Sequence, residues 1–295
     1  MNDADFAALF QRRLGLLVGL TVAHALVTEW PRFFALDATG RSPLDAAAPW
    51  VLAFAALLSG LGFAWRHPGY GLGAVLALGA LHARVPSVYH NNYYLLGCMV
   101  ALTALTRLGR AEGLLRPLLR AQLAVVYLVS VVVKLSHPWW NGSGRVLQLL
   151  ATEYVPGRGG GLLQSALGPW LADPGRARFT DQAVMLAEVL LPVCFYLARW
   201  RRAALWAGVA MHLVMHEWLF PQVFSVVMLL GYLAWRDDDV TDDATRLLIA
   251  AAFTLSLSAL LSTGAHARVE NLIVAAGLMA LGLRAALRAR RGKTA

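Results

Sequence analysis

Apolar residues along this chain come in blocks of about 16 to 21, and the blocks are separated by Arg, Pro, Gly and Asp. A helix needs about 20 residues to cross a hydrocarbon core, and only helices or closed barrels satisfy their backbone there. The pattern therefore predicts about ten membrane helices, at 13–30, 49–66, 70–86, 93–109, 117–136, 181–198, 202–217, 219–235, 245–262 and 269–287. The shorter blocks also fit tilted or re-entrant helices, which gives a range of eight to ten crossings. The expected fold class is all-α, a polytopic helical membrane protein forming a single domain over 1–295. The longest gap, about 137–180, is expected as an outward loop with Trp139-Trp140 and Pro169-Trp170 resting at the interface.

Composition excludes a soluble domain: 58% of residues are hydrophobic and only 15% are charged. The net charge of +9 does not point to nucleic acid, because the arginines stand at segment ends and not in a stripe. They are instead informative about topology. Starting inside at Arg12-Arg13, one side collects 17 basic residues and the other eight, so both termini are expected in the cytoplasm of a cell membrane. Cys98 and Cys194 fall within apolar segments as small hydrophobes. The N-terminal stretch is expected as a retained first helix, and the acidic run Asp237 to Asp243 as a solvated loop.

Against this background a few polar residues are out of place. An ionisable side chain at the centre of a membrane helix costs about 2.5 to 3.5 kcal/mol, so each is a candidate site. Of the 26 basic residues only Lys134 and Lys293 are lysines, and Lys134 ends an otherwise apolar segment. Tyr127, Ser130 and Lys134 share one helical face. A lysine can act as a base once it is neutral, which burial favours, whereas arginine stays charged. Alternatively, Lys134 snorkels to the interface as an anchor; this stretch alone leaves both readings open. Glu188 could pair with Lys134 or bond across helices. His212 and His216 are four apart, as metal ligands on a helix can be, but no glutamate of the zinc-protease pattern lies between them and no metal is predicted. The Tyr89 to Tyr94 run, with His90, Asn91 and Asn92, reads as an interfacial turn. In the predicted topology the Lys134, Asn91 and His212 to Glu217 regions share the outer side, where they could form one pocket for a small molecule.

The stretch Tyr127, Lys134, Leu135, Trp139 and Gly142 resembles the membrane domain of the vitamin K-dependent gamma-carboxylase and the wider HTTM (horizontally transferred transmembrane) family. Asn91 to Gly97, Glu188 to Pro192, and His212 running into Phe224 to Trp235 extend the likeness over about 90–235. The resemblance implies an enzyme of quinol-epoxidase or carboxylase type, lyase or oxygenase in class, with Lys134 as the general base. It implies a reduced quinone, like vitamin K hydroquinone, as cofactor or substrate. Tyr127, Ser130, Trp139, His90, Asn91, Asn92, Glu188 and His212 are the expected binding or supporting residues. The expected partners are the lipid bilayer and a lipophilic small molecule. A non-catalytic protein binding a lipid, quinone or protein partner is the alternative, and a transporter, which needs broken helices and polar groups on both sides of the midplane, ranks third.

Overall fold

The computed structural model describes residues 2–28, 30–86, 91–136, 141–152, 162–219 and 224–235. Among them are eleven α-helices and no strand: α1 (Asp3–Thr28), α2 (Trp30–Ala38), α3 (Pro43–Trp65), α4 (Gly69–Arg84), α5 (Asn91–Leu108), α6 (Leu115–Ser136), α7 (Arg145–Thr152), α8 (Leu162–Leu171), α9 (Pro174–Tyr196), α10 (Ala198–Leu219) and α11 (Phe224–Gly231). A 3₁₀ turn, Tyr232–Trp235, follows α11. The chain is an all-α polytopic membrane protein. Four of its described spans, Asp3–Val27, Pro43–Trp65, Glu112–Ser136 and Pro174–Tyr196, are long and apolar enough to cross a bilayer. The expected segments 245–262 and 269–287, and the acidic run near 237–243, lie outside the described residues.

Several helices begin well before their apolar block, because local capping sets their start. Ser42 stands at the N-cap of α3, its Oγ accepting from the Asp45 amide at 3.2 Å, and Pro43 follows with its φ already helical. The same device opens α9: Asp173 accepts from the Arg176 amide at 2.9 Å and Pro174 follows. The apolar pattern also passes over three short helices. α2 buries Trp30 and Phe34, one turn apart, and α7 and α8 lie within the 137–180 stretch expected as a loop.

The chain divides into two compact units, residues 1–120 and 121–295. In the first, α1 packs against α3 and α5, α4 packs against the same two, and α2 lies on α1 and α3. Phe6, Phe10, Leu14, Val18 and Val22 form the buried stripe of α1 at every fourth position. Small residues bring the helices together, since lipid supplies little hydrophobic drive for association. A Cβ on Gly15 would sit 2.5 Å from the Ala64 amide nitrogen, so α1 and α3 touch backbone to backbone. In the second unit α9 packs against α7, α8 and α10, and α10 also meets α11.

Candidate functional site

The polar residues of the second unit gather along the buried face of α6. Leu123, Tyr127 and Val131 are buried at four-residue intervals, and Lys134 continues that stripe. Val125, Leu128, Val129, Val132, Val133 and Leu135 lie on the exposed side, as suits a helix facing hydrocarbon. Across from the buried face, α9 presents Asp181, Glu188 and Phe195, each seven residues from the last and all buried. Lys134 meets Glu188 while Tyr127 meets Phe195, ring centroids 6.4 Å apart, so the two faces run antiparallel in register.

At the first of these pairings the Lys134 ammonium donates to Glu188 Oε1 at 2.6 Å. The two side chains are only 14% and 4% exposed. Ser130, one turn before Lys134, donates to the same carboxylate, 3.3 Å from Oε1 and 3.4 Å from Oε2. An ion pair taken out of water is costly unless further hydrogen bonds satisfy its lone pairs, and Ser130 supplies one. Pro192, four residues after Glu188, has no N–H to return to the Glu188 carbonyl, so the helix is opened at the turn that carries the carboxylate. The lysine is thus directed onto a buried acid on the neighbouring helix.

One to two turns along α6 a second polar group forms. The Tyr127 hydroxyl shares a hydrogen bond with His212 Nε2 at 2.9 Å and another with the Tyr232 hydroxyl. His212 is 1% exposed, and Tyr127 and Tyr232 are also buried. Three elements, α6, α10 and the 3₁₀ turn, therefore each contribute one member. Phe195 closes the group, its ring 5.1 Å from Tyr232 and 4.8 Å from Trp235.

On the other side of Lys134, Asp181 is 2% exposed and accepts from the Gly144 amide at 3.0 Å. Gly142 and Gly144 have φ of 77° and 74°, the left-handed region that glycine enters without strain. A Cβ on Gly144 would collide with the backbone of Ala177 and Arg178, and one on Gly142 would come 2.9 Å from Met185 Cε. The Asn141 to Gly144 turn is therefore laid directly on α9, and Asp181 pins it there.

Of the residues singled out in the sequence, Lys134, Tyr127, Ser130, Glu188 and His212 are brought together. Gly142 shapes the adjoining turn, and Leu135 is on the exposed face. Trp139 and His90 lie outside the described residues, as do the side chains of Asn91 and Asn92 at the start of α5 and those of His216 and Glu217. Asp181, Tyr232 and Gly144 join the site without having been singled out. Asp181 carried a readable signal, an acid at the head of an apolar block with a glutamate seven residues on. No family model, curated protein or solved structure matches this chain.

Proposed function

We propose that this chain is a multi-pass membrane enzyme in which Lys134, paired with Glu188, acts as general base on a quinol-like or other lipophilic substrate, as the resemblance to the gamma-carboxylase membrane domain implies. The observation that carries this reading is the buried 2.6 Å contact between the lysine and the glutamate. In this reading the shared proton passes from Nζ to Oε1 as the substrate docks, leaving an amine beside a carboxylic acid. The amine then takes the proton of an acidic hydroxyl, and the electron pair of that O–H bond stays on the substrate oxygen. A reduced quinone suits such a site, being apolar enough to enter from lipid and carrying the acidic hydroxyls. The Tyr127, Phe195, Tyr232 and Trp235 rings nearby favour a ring-bearing molecule. In the same reading the chain resides in a cell membrane with both termini cytoplasmic and the Lys134 end of α6 facing outward, which the arginine asymmetry supports.

The ion pair also favours a second reading, in which Lys134 and Glu188 only hold α6 to α9 in a protein that binds a lipid or partner. The two part at Lys134→Arg. Arginine keeps the pair and cannot become a neutral amine. Deprotonation of a reduced 1,4-naphthoquinone by the purified chain in lipid nanodiscs is expected to be lost in Lys134→Arg and Lys134→Ala; undiminished proton transfer in the arginine variant overturns the base.

A further inference from the structure

The contact that sets Lys134 on Glu188 holds only weakly by itself. A buried ion pair does little more than offset its own desolvation, and a lysine two residues from a helix end can swing its ammonium out to the interface instead. Apolar packing adds little, because hydrocarbon receives valine and leucine as readily as another helix does. Val125, Leu128, Val129, Val132, Val133 and Leu135 already face outward on α6, so burial alone leaves the rotation of the helix loosely set. Directional contacts on the buried face set it more tightly. Tyr127 lies two turns before Lys134, and its hydroxyl has partners on two other elements: His212 Nε2 on α10, at 2.9 Å, and the Tyr232 hydroxyl in the 3₁₀ turn. Phenylalanine would fill the same space without burying a hydroxyl, so the polar end of this side chain has a use. Tyr232 reaches Tyr127 through a gap in α10. Gly208 stands one turn before His212, and a Cβ there would lie 2.6 Å from the Tyr232 hydroxyl and 3.0 Å from its Cζ. A side chain at 208 therefore pushes that hydroxyl from the place where Tyr127 meets it.

We propose that Gly208 and Tyr232 are positioning residues for the Lys134 site. The glycine admits the tyrosine hydroxyl, that hydroxyl together with His212 holds Tyr127, and Tyr127 fixes the rotation of α6 that keeps Lys134 on Glu188. The proposal rests on the base role given to Lys134, and no proton travels along these contacts. The base step is where they matter. Once the shared proton has passed to Glu188, no attraction between opposite charges holds the amine in place, whereas the hydrogen bonds of Tyr127 do not depend on that proton.

The test reads the position of Lys134 directly. The chain has two lysines, Lys134 and Lys293, so lysine labelled at Nζ gives two nitrogen resonances in solid-state NMR, and Lys134→Arg assigns one of them. Its dipolar coupling to the carboxyl carbon of labelled glutamate measures the distance to Glu188 in the full chain in lipid nanodiscs, and Glu188→Gln confirms the partner. Gly208→Ala and Tyr232→Phe are each expected to lengthen that distance by about 0.5 Å or more, the tolerance within which a working site is held. The saturating rate at which a reduced 1,4-naphthoquinone is deprotonated is expected to fall about tenfold or more per folded chain, with the half-saturating concentration kept within about twofold. Both variants remove the same contact, so the two together should do no more harm than the worse of them alone. If one does not assemble, the other is read by itself. An unchanged distance in the single variants, with or without a loss of stability, overturns the proposal, and so does a double variant whose losses add. Lys134→Arg keeps the two failures apart. If it retains the deprotonation rate, the base reading is wrong and the distance still decides the positioning; if it loses the rate while Gly208→Ala and Tyr232→Phe keep both rate and distance, the positioning alone is wrong.

Discussion

Breaking the contact between Lys134 and Glu188 and replacing it have opposite consequences. Glu188→Gln leaves an ammonium facing a group that cannot balance it in a site only 14% open on the lysine side, and is expected to destabilise the protein by about 3 kcal/mol in a denaturant or thermal titration. The double replacement Lys134→Met with Glu188→Leu removes both charges at similar volume, and should return stability to within about 1 kcal/mol of the starting protein. If the pair exists for catalysis, the double variant folds and is inactive; a double variant as unstable as Glu188→Gln contradicts this account of the contact. Lys134 was the residue most legible in the sequence, because a lone lysine among arginines in an apolar helix has few uses. Tyr232 was not legible. A tyrosine near the end of an apolar block is commonly an interfacial anchor, and only the folded positions of Tyr127 and His212 reveal its partner.

At the scale of elements, the Asn141 to Gly144 turn rests on α9. Gly144→Ala meets two obstacles at once, a positive φ and a collision with the α9 backbone at Ala177 and Arg178. Gly40 offers an internal comparison, with a φ of 73° and nothing within 4 Å of a Cβ. Gly40→Ala should cost only the backbone term, about 1 kcal/mol. Gly144→Ala should cost at least about 3 kcal/mol, since overpacking adds to the same term. Equal losses in the two variants, read from unfolding titrations, would show that the turn does not rest on α9. The long helices were legible as apolar blocks, while α2, α7 and α8 were not. Helices of eight to ten residues make too few turns for a block of that length to stand out, and they gain their stability from packing on neighbours. Helix starts were missed for another reason: caps such as Ser42-Pro43 and Asp173-Pro174 are polar and lie outside the apolar count, although their residue types are the ones that open helices.

For the whole molecule, the proposed topology follows from charge. In that proposal seventeen basic residues fall on one side and eight on the other, spread over longer loops, the bias expected if both termini are cytoplasmic. Reporter fusions at each end, active only on one side of the membrane, should report the cytoplasmic side for both; opposite sides would require an odd number of crossings, and an outer N-terminus with the same five segments before Lys134 would overturn its outward placement. The central claim is the base itself, and it is tested most directly by stopped-flow absorbance of a reduced 1,4-naphthoquinone mixed with the chain in nanodiscs. The account predicts that the quinol anion forms with the unaltered protein and fails to form with Lys134→Arg, whose fold and ion pair are retained. Anion formation at the same rate in Lys134→Arg would contradict it.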